Sequence, residues 1–239
     1  MMKQVAILGL SHFGKSVLDE LLALNIDVFI VDKDREVIDT YKDASAGSVV
    51  LDVVNVETLR KVLPDSIDAV VIDMGDRIEA SILSTSYCAK LGIKTIIVKA
   101  ETESQAEILE LVGATKVVFP NKEAAKRITP QLLSSVLLNY LPLGGKLAIA
   151  ELEVPKHMVG CTIVESGIRQ KYDINLIAVR KSDSEYDKFD PAYRFAEGDI
   201  ALFSGADEDL SRFTGNVLRE EQHSAVTEQF LHFFRRGKK

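Results

Sequence analysis

The sequence predicts an α/β protein: a Rossmann-like, doubly wound parallel sheet followed by a small α+β domain. Three observations carry this. From the first strand to Leu141, short apolar runs alternate strictly with amphipathic segments, which is the rhythm of βαβ units. The runs are β-rich and apolar throughout, as in strands covered on both faces. The first run also opens straight into a glycine-spaced turn, Gly9-Leu10-Ser11-His12-Phe13-Gly14-Lys15-Ser16.

Each element follows in order. "VAILGL" reads as a buried strand, and "FGKSVLDELLALN" as a helix with Val17, Leu18, Leu21, Leu22 and Leu24 at helical spacing. "DVFIVD" is the second strand and "DREVIDTYKD" the second helix. "SVVLD" is the third strand, with "NVETLRKVLP" a helix ended by Pro64. "DAVVID" is the fourth, followed by a helix in "DRIEASILSTSYCAKLG" that stops at Gly92. "KTIIVKA" and "ESQAEILELVGA" repeat the unit, and "KVVFP" adds a sixth strand. "KEAAKRITPQLLSSVLLNYL" reads as a longer helix that Pro130 should break or kink. Its leucines cover more than one face, which suits either core packing or packing on a second subunit. "PLGG" then marks a boundary. Beyond it come a strand in "KLAIAELEVP", a helix in "TIVESGIRQKYD", a strand in "INLIAVRK", a polar loop, a strand in "IALFSG" and a short helix in "ADEDLSRFTG". The expected domains are thus 1–141, the nucleotide-binding domain, and 146–214, the C-terminal domain. A tail, 215–239, is helical or disordered, with Val226, Phe230 and Phe233 on one helical face.

Bulk properties narrow the function. The chain has 239 residues, 46% hydrophobic and 27% charged, with a net charge of -7. That balance argues against coating nucleic acid by phosphate neutralisation. No apolar run reaches the roughly 18 residues of a spanning helix, and no signal-peptide cleavage pattern is seen, so a cytoplasmic protein is expected. Two cysteines, Cys88 and Cys161, stand in unrelated contexts, so a disulfide is not expected. Four scattered histidines give no metal-site spacing.

The glycine turn admits two chemistries. It fits G-x-x-x-x-G-K-[ST], the phosphate loop of nucleotide hydrolases, whose nest of N–H groups needs small residues. Ser11, His12 and Phe13 fill that nest poorly. Aspartates that could serve Mg²⁺ stand at strand ends (Asp32, Asp73), but such residues are common in α/β domains. The turn also nearly fits G-x-G-x-x-G. Gly9 makes the tight turn, Gly14 allows the helix to pack closely, and phosphates sit at the helix N-terminus. An acidic residue should follow about 20 residues on to bind ribose hydroxyls, and Asp32 is there. Ser11 departs from the pattern, although its hydroxyl could donate to phosphate. An acidic Asp32 disfavours NADP and leaves NAD, ATP, ADP and AMP open. No Ser-His-Asp set, paired carboxylates or reactive cysteine context accompanies the turn, and the second domain's one histidine, His157, follows Pro155 closely. Lys15 is read as a surface residue, and His12 either faces solvent or contacts phosphate.

"VAILGLSHFGKSVLDELLALNIDVFIVDKDREVIDTY" resembles the nucleotide-binding domain of RCK proteins, the regulators of potassium conductance, and in particular the cytosolic subunits of bacterial Ktr and Trk uptake systems. "LDVVNVETLRKV" and the stretch from "DMGDRIEAS" to "NKEAAKRI" continue the likeness. "MVGCTIVESGIRQKYDINLIAVRKSD" and "FAEGDIALFSGADEDLSRF" resemble the family's C-terminal domain. The resemblance implies a non-enzymatic regulatory subunit that binds ATP or ADP, or NAD(H). It further implies a homodimer, assembled into a ring, typically an octamer, beneath a membrane potassium channel-like subunit. It implies a ligand set of Gly9, Leu10, Ser11, His12, Phe13, Gly14, Asp32, Lys33, Asp52, Met74, Gly75 and Lys99, with no metal. The chain departs from the family at three places. Ser11 replaces the middle glycine. His12 stands where relatives often have a phosphate-contacting arginine, and histidine, unlike arginine, is charged only part of the time near neutral pH. Asn121 stands where some relatives have a glutamate that helps hold a cation. The competing class is a small NAD-dependent oxidoreductase or a nucleotide hydrolase.

Overall fold

The computed structural model describes residues 4–54, 56–133, 137–181, 184–186, 190 and 192–214. The chain divides into two compact units after Pro120.

The first unit is built on six parallel strands: β1 (Gln4–Leu8), β2 (Val28–Asp32), β3 (Gly47–Val50), β4 (Ile67–Ile72), β5 (Thr95–Lys99) and β6 (Lys116–Val118). Their spatial order is β3-β2-β1-β4-β5-β6. The connecting helices are α1 (His12–Ala23), α2 (Arg35–Tyr41), α3 (Val56–Val62), α4 (Ile78–Lys90) and α5 (Glu103–Leu111). The apolar runs become strands because side chains on both faces are covered. Leu8, Val31, Ile72 and Val98 pack in one cluster with Leu59 and Leu109, while Ile7, Ile30 and Val71 pack with Leu18 in another. Chain order reverses between β1 and β4, so their carboxyl ends open a crevice, the usual ligand position in such sheets.

Helix α6 (Pro120–Leu133) runs through Pro130 and ends three residues later, so the proline does not break it. The helix does not reach Leu141. Leu137–Gly144 forms strand β7, antiparallel to β8 (Leu147–Glu153), and "PLGG" lies at the hairpin end, where Gly144 and Gly145 adopt φ +116° and +60°. Of the apolar residues that fitted no single helical face, Leu132 and Leu133 stay in α6, while Leu137, Leu138 and Leu141 belong to an edge strand, and an edge strand tolerates Pro142.

The second unit's sheet is antiparallel, in the order β7-β8-β10-β9, with β9 (Asn175–Arg180) and β10 (Ile200–Ala206). The helix predicted in "TIVESGIRQKYD" is split by Gly167 in the left-handed region into α7 (Ile163–Ser166) and α8 (Ile168–Tyr172), and Thr162 and Glu165 form a capping box at its start. Helix α9 (Asp207–Thr214) closes the described chain. Leu152, Phe203, Phe213, Ile168 and Ile174 fill this unit's core. The predicted apolar face of the tail lies outside the described residues. Among the described residues no helix is long and apolar enough to cross a membrane.

Candidate functional site

The glycine turn leaves β1 as the dinucleotide reading requires. Gly9 donates to the Val31 carbonyl at 2.8 Å and has φ +86°, and a Cβ there would lie 2.1 Å from the Asp73 carbonyl oxygen. A Cβ on Gly14 would lie 2.4 Å from the Gly9 carbonyl oxygen. Both positions therefore demand glycine, the first for its backbone conformation and both for close approach.

Ser11 is the N-cap of α1, but its side chain caps no N–H of the helix. Its hydroxyl instead donates to Oδ2 of Asp73, and the same oxygen accepts the Gly14 N–H at 2.9 Å. Asp73 follows the last residue of β4 and is 1% exposed. It thus caps α1 from another strand. Its Oδ1 accepts the Gly75 N–H at 3.3 Å and lies 3.6 Å from the Lys99 ammonium, which also pairs with Glu101 at 2.8 Å. Burial works against the charged form of Lys99, but hydrogen bonding and attraction from Glu101 and Asp73 outweigh it and raise its pKa.

Asp32 ends β2 and joins the same loop. Its Oδ2 accepts the Leu10 N–H at 2.6 Å and its Oδ1 the Asp34 N–H at 2.8 Å. Each oxygen keeps a further lone pair for a hydroxyl donor.

These elements enclose a cleft of about 350 Å³. Gly9, Leu10, Ser11, Asp32, Lys33, Met74 and Gly75 line it, with Val31, Val37, Leu51 and Val53 as apolar wall. The remaining predicted residues stand behind or beside it. Gly14 is buried in the first turn of α1, Phe13 packs on the core, and His12 is exposed. Lys99 sits beyond Asp73. Asp52 is engaged by Arg77, at 2.9 and 3.0 Å from one guanidinium nitrogen. Slight burial would raise the Asp52 pKa, but Arg77 and the Val54 N–H bring it below the usual value. Lys15 is not among the cleft-lining residues. Sequence reasoning passed over Asp34, Asp76 and Arg77, which line the cleft, and gave Asp73 no weight. The available signal for Asp73 was its place at the end of β4, the strand beside β1.

The second unit has its own cleft of about 340 Å³, between α7–α8 and β9, walled by Ile163, Val164, Ile168 and Leu176 with Arg169 and Asn175. Among the described residues no group of His, Cys, Asp and Glu could hold a metal ion.

Residues 5–120 match the family model of the TrkA-N domain and residues 147–217 that of the TrkA-C domain. The chain is 30% identical over 218 residues to the Ktr system potassium uptake protein C of Bacillus subtilis (strain 168), covering 91% of this chain and 99% of that protein. Among solved structures it resembles the GsuK RCK domain, with a TM-score of 0.62 at 18% identity, over 92% of this chain and 48% of that one. It also resembles a GsuK channel bound to NAD, with a TM-score of 0.61 at 18% identity, over 88% of this chain and 38% of that one. The chain thus spans less than half the length of these GsuK chains, and the likeness to them concerns the fold. With a Rossmann-like nucleotide-binding fold followed by a small antiparallel domain, and with both domain families matched in order, the chain belongs to the RCK (TrkA-N/TrkA-C) family and is homologous to the Ktr potassium uptake proteins.

Proposed function

We propose that this chain is a regulatory, non-enzymatic subunit of a potassium-uptake system, and that an adenine nucleotide in the β1–β4 crevice sets its state. The observation that carries this reading is the meeting of the glycine turn and Asp32 around one cleft at the switch point of the sheet. Asp32 would hold the ribose hydroxyls, and the apolar wall would cover the adenine. ATP or ADP is the proposed ligand. NAD(H) is the second candidate, and a GsuK relative is described as bound to NAD. The polar groups around the cleft bind one another and the loop backbone, an arrangement suited to holding a ligand rather than to moving protons.

The proposed assembly is a homodimer that builds an octameric ring on the cytoplasmic side of a membrane potassium channel-like subunit. Helix α6 supports a protein contact, since Ile128 and Leu132 are 52% and 79% exposed on it. A nucleotide would shift such a ring only by its difference in affinity for the two shapes. A cation site at Asn121 is not part of this reading.

The test is a thermal-shift panel of ATP, ADP, AMP, NAD and NADH, with phosphate release followed in parallel. At least one ligand should raise the melting temperature by about 5 °C at a hundredfold excess over Kd, with no turnover, and Asp32→Ala should abolish the shift. No shift with any ligand overturns the nucleotide assignment. Steady phosphate release that is lost in Lys15→Ala overturns the regulatory one.

A further inference from the structure

The parallel sheet of the first unit has a second cavity, at the end opposite the glycine turn. It holds about 320 Å³ and lies where the chain enters β4 and β5. Arg60 lines it from the last turn of α3, Asp65 and Asp68 from the link into β4 and the start of that strand, and Lys94 from the residue before β5. Leu63 and Ile67, 6% and 9% exposed, give it an apolar wall.

Two cations and two carboxylates thus surround one small space. Among the described residues none of the four makes an ion pair. The cavity therefore offers both signs of charge at once. A simple anion would meet Arg60 and Lys94 but also two carboxylates, and a simple cation the reverse. Leu91 and Gly92, at the carboxyl end of α4, also line the cavity and add the partial negative charge of a helix C-terminus.

A buried hydroxyl is the second observation. Tyr87 is 8% exposed, and its hydroxyl has no hydrogen-bond partner among the described residues. It sits one turn before the cavity-lining Leu91, on the same face of α4. Burial pushes its pKa up, and the charge of Arg60, acting from the cavity lining, opposes this. Buried hydroxyls are nearly always hydrogen-bonded, and an orphan beside a charged cavity is a group that a ligand would complete.

We propose that this cavity is a second ligand site, separate from the nucleotide crevice, for a small zwitterion of the amino-acid type with an apolar side chain. Arg60 and Lys94 take the carboxylate, and the Tyr87 hydroxyl donates to it. Asp65 and Asp68 take the ammonium, and the wall of Leu63 and Ile67 covers the side chain. A guanidinium suits a carboxylate because its N–H groups match both oxygens. One molecule then satisfies both sets of charges, which no single ion can do.

Titration calorimetry on the full chain with L-leucine, leucinamide and 4-methylpentanoate tests this. Leucinamide lacks the carboxylate, and 4-methylpentanoate lacks the ammonium. Leucine should bind with a Kd of about 1 mM or tighter, and each analogue at least about tenfold more weakly. Arg60→Gln with Lys94→Gln should remove most of leucine's advantage over leucinamide. Asp65→Asn with Asp68→Asn should remove most of its advantage over 4-methylpentanoate. All four residues are exposed, so both double variants should melt within about 3 °C of the wild type. No leucine binding at about 10 mM overturns the proposal. So do analogues that bind as tightly as leucine, or leucine affinity unchanged in both double variants. The nucleotide crevice lies at the other end of the sheet, so these outcomes do not depend on which nucleotide binds there.

Discussion

Asp73 in the first unit and Glu151 in the second are both carboxylates drawn away from water, and they are held in opposite ways. Asp73 in the first unit is bound by the backbone N–H groups of Gly14 and Gly75, the Ser11 hydroxyl and the Lys99 ammonium. Glu151 in the second, 9% exposed, is bound among the described residues by side chains: the Asn139 amide at 2.6 Å, the Tyr186 hydroxyl at 2.6 Å and the Arg180 guanidinium at 2.9 Å. Asn139 lies on the edge strand β7 and Arg180 on β9, two strands away from Glu151 on β8. One carboxylate therefore shapes a loop and a helix start, and the other ties one face of a sheet together. A group that holds backbone around a cleft should be read out in ligand choice. A group that holds side chains across strands should be read out in stability.

The largest effect expected from this contrast lies in the cores. Leu152 is fully buried in the second unit's cluster, which shares no residue with the clusters flanking the parallel sheet. Leu152→Ala should cost about 3–5 kcal/mol while nucleotide-induced stabilisation of the first unit persists. Calorimetric scans with and without ligand check this, and loss of ligand binding in that variant would mean the two regions are not separable in the way described.

The next effect is smaller and depends on pH. Burial would raise the Glu151 pKa, but hydrogen bonds from Tyr186, Asn139 and Arg180, with the attraction of Arg180, bring it below the usual carboxylate value. A carboxylate whose pKa is lower in the folded state adds stability above its unfolded pKa, and that stability is lost as pH falls through the folded value. Glu151→Gln should therefore cost about 1–2 kcal/mol at pH 7. The gap to wild type should close below about pH 4. Urea unfolding at a series of pH values measures it, and a gap independent of pH would remove the charge from the explanation.

The smallest effect belongs to the pair at the cleft rim. Asp52 and Arg77 meet at 2.9 Å with 52% and 35% of their side chains exposed. Exposed pairs contribute little, so Asp52→Asn should change stability by less than about 0.5 kcal/mol in chemical denaturation. A larger loss would show that the rim pair also braces the loop.

Much of the first unit was legible because periodicity and glycine spacing are local signals. Every strand and helix up to α5 falls where the apolar runs and amphipathic segments placed it. The roles of Gly9 and Gly14 follow from the turn they occupy. The stretch "LLNYLPLGG" misled because a run of leucines has no decisive period. What makes it a strand is the ladder that β8 offers, from Leu137 opposite Leu152 to Gly144 opposite Leu147. Asp73 was visible as a strand-end aspartate, yet its partner Ser11 lies 62 residues away, and no local pattern links them.

The sequence by itself determined the alternation of elements, the parallel sheet, the glycine-spaced turn with an acidic residue at the end of the second strand, and the family. These depend on side-chain period, backbone freedom and short-range spacing. Only the tertiary structure decided where the proton of Ser11 goes, what caps α1, and which charges Lys99 must share. Those questions turn on groups brought together from β1, β4 and β5 by the order of strands in the sheet. In a buried place, whether a hydroxyl faces a ligand or a carboxylate depends on which partner the fold brings within hydrogen-bond reach.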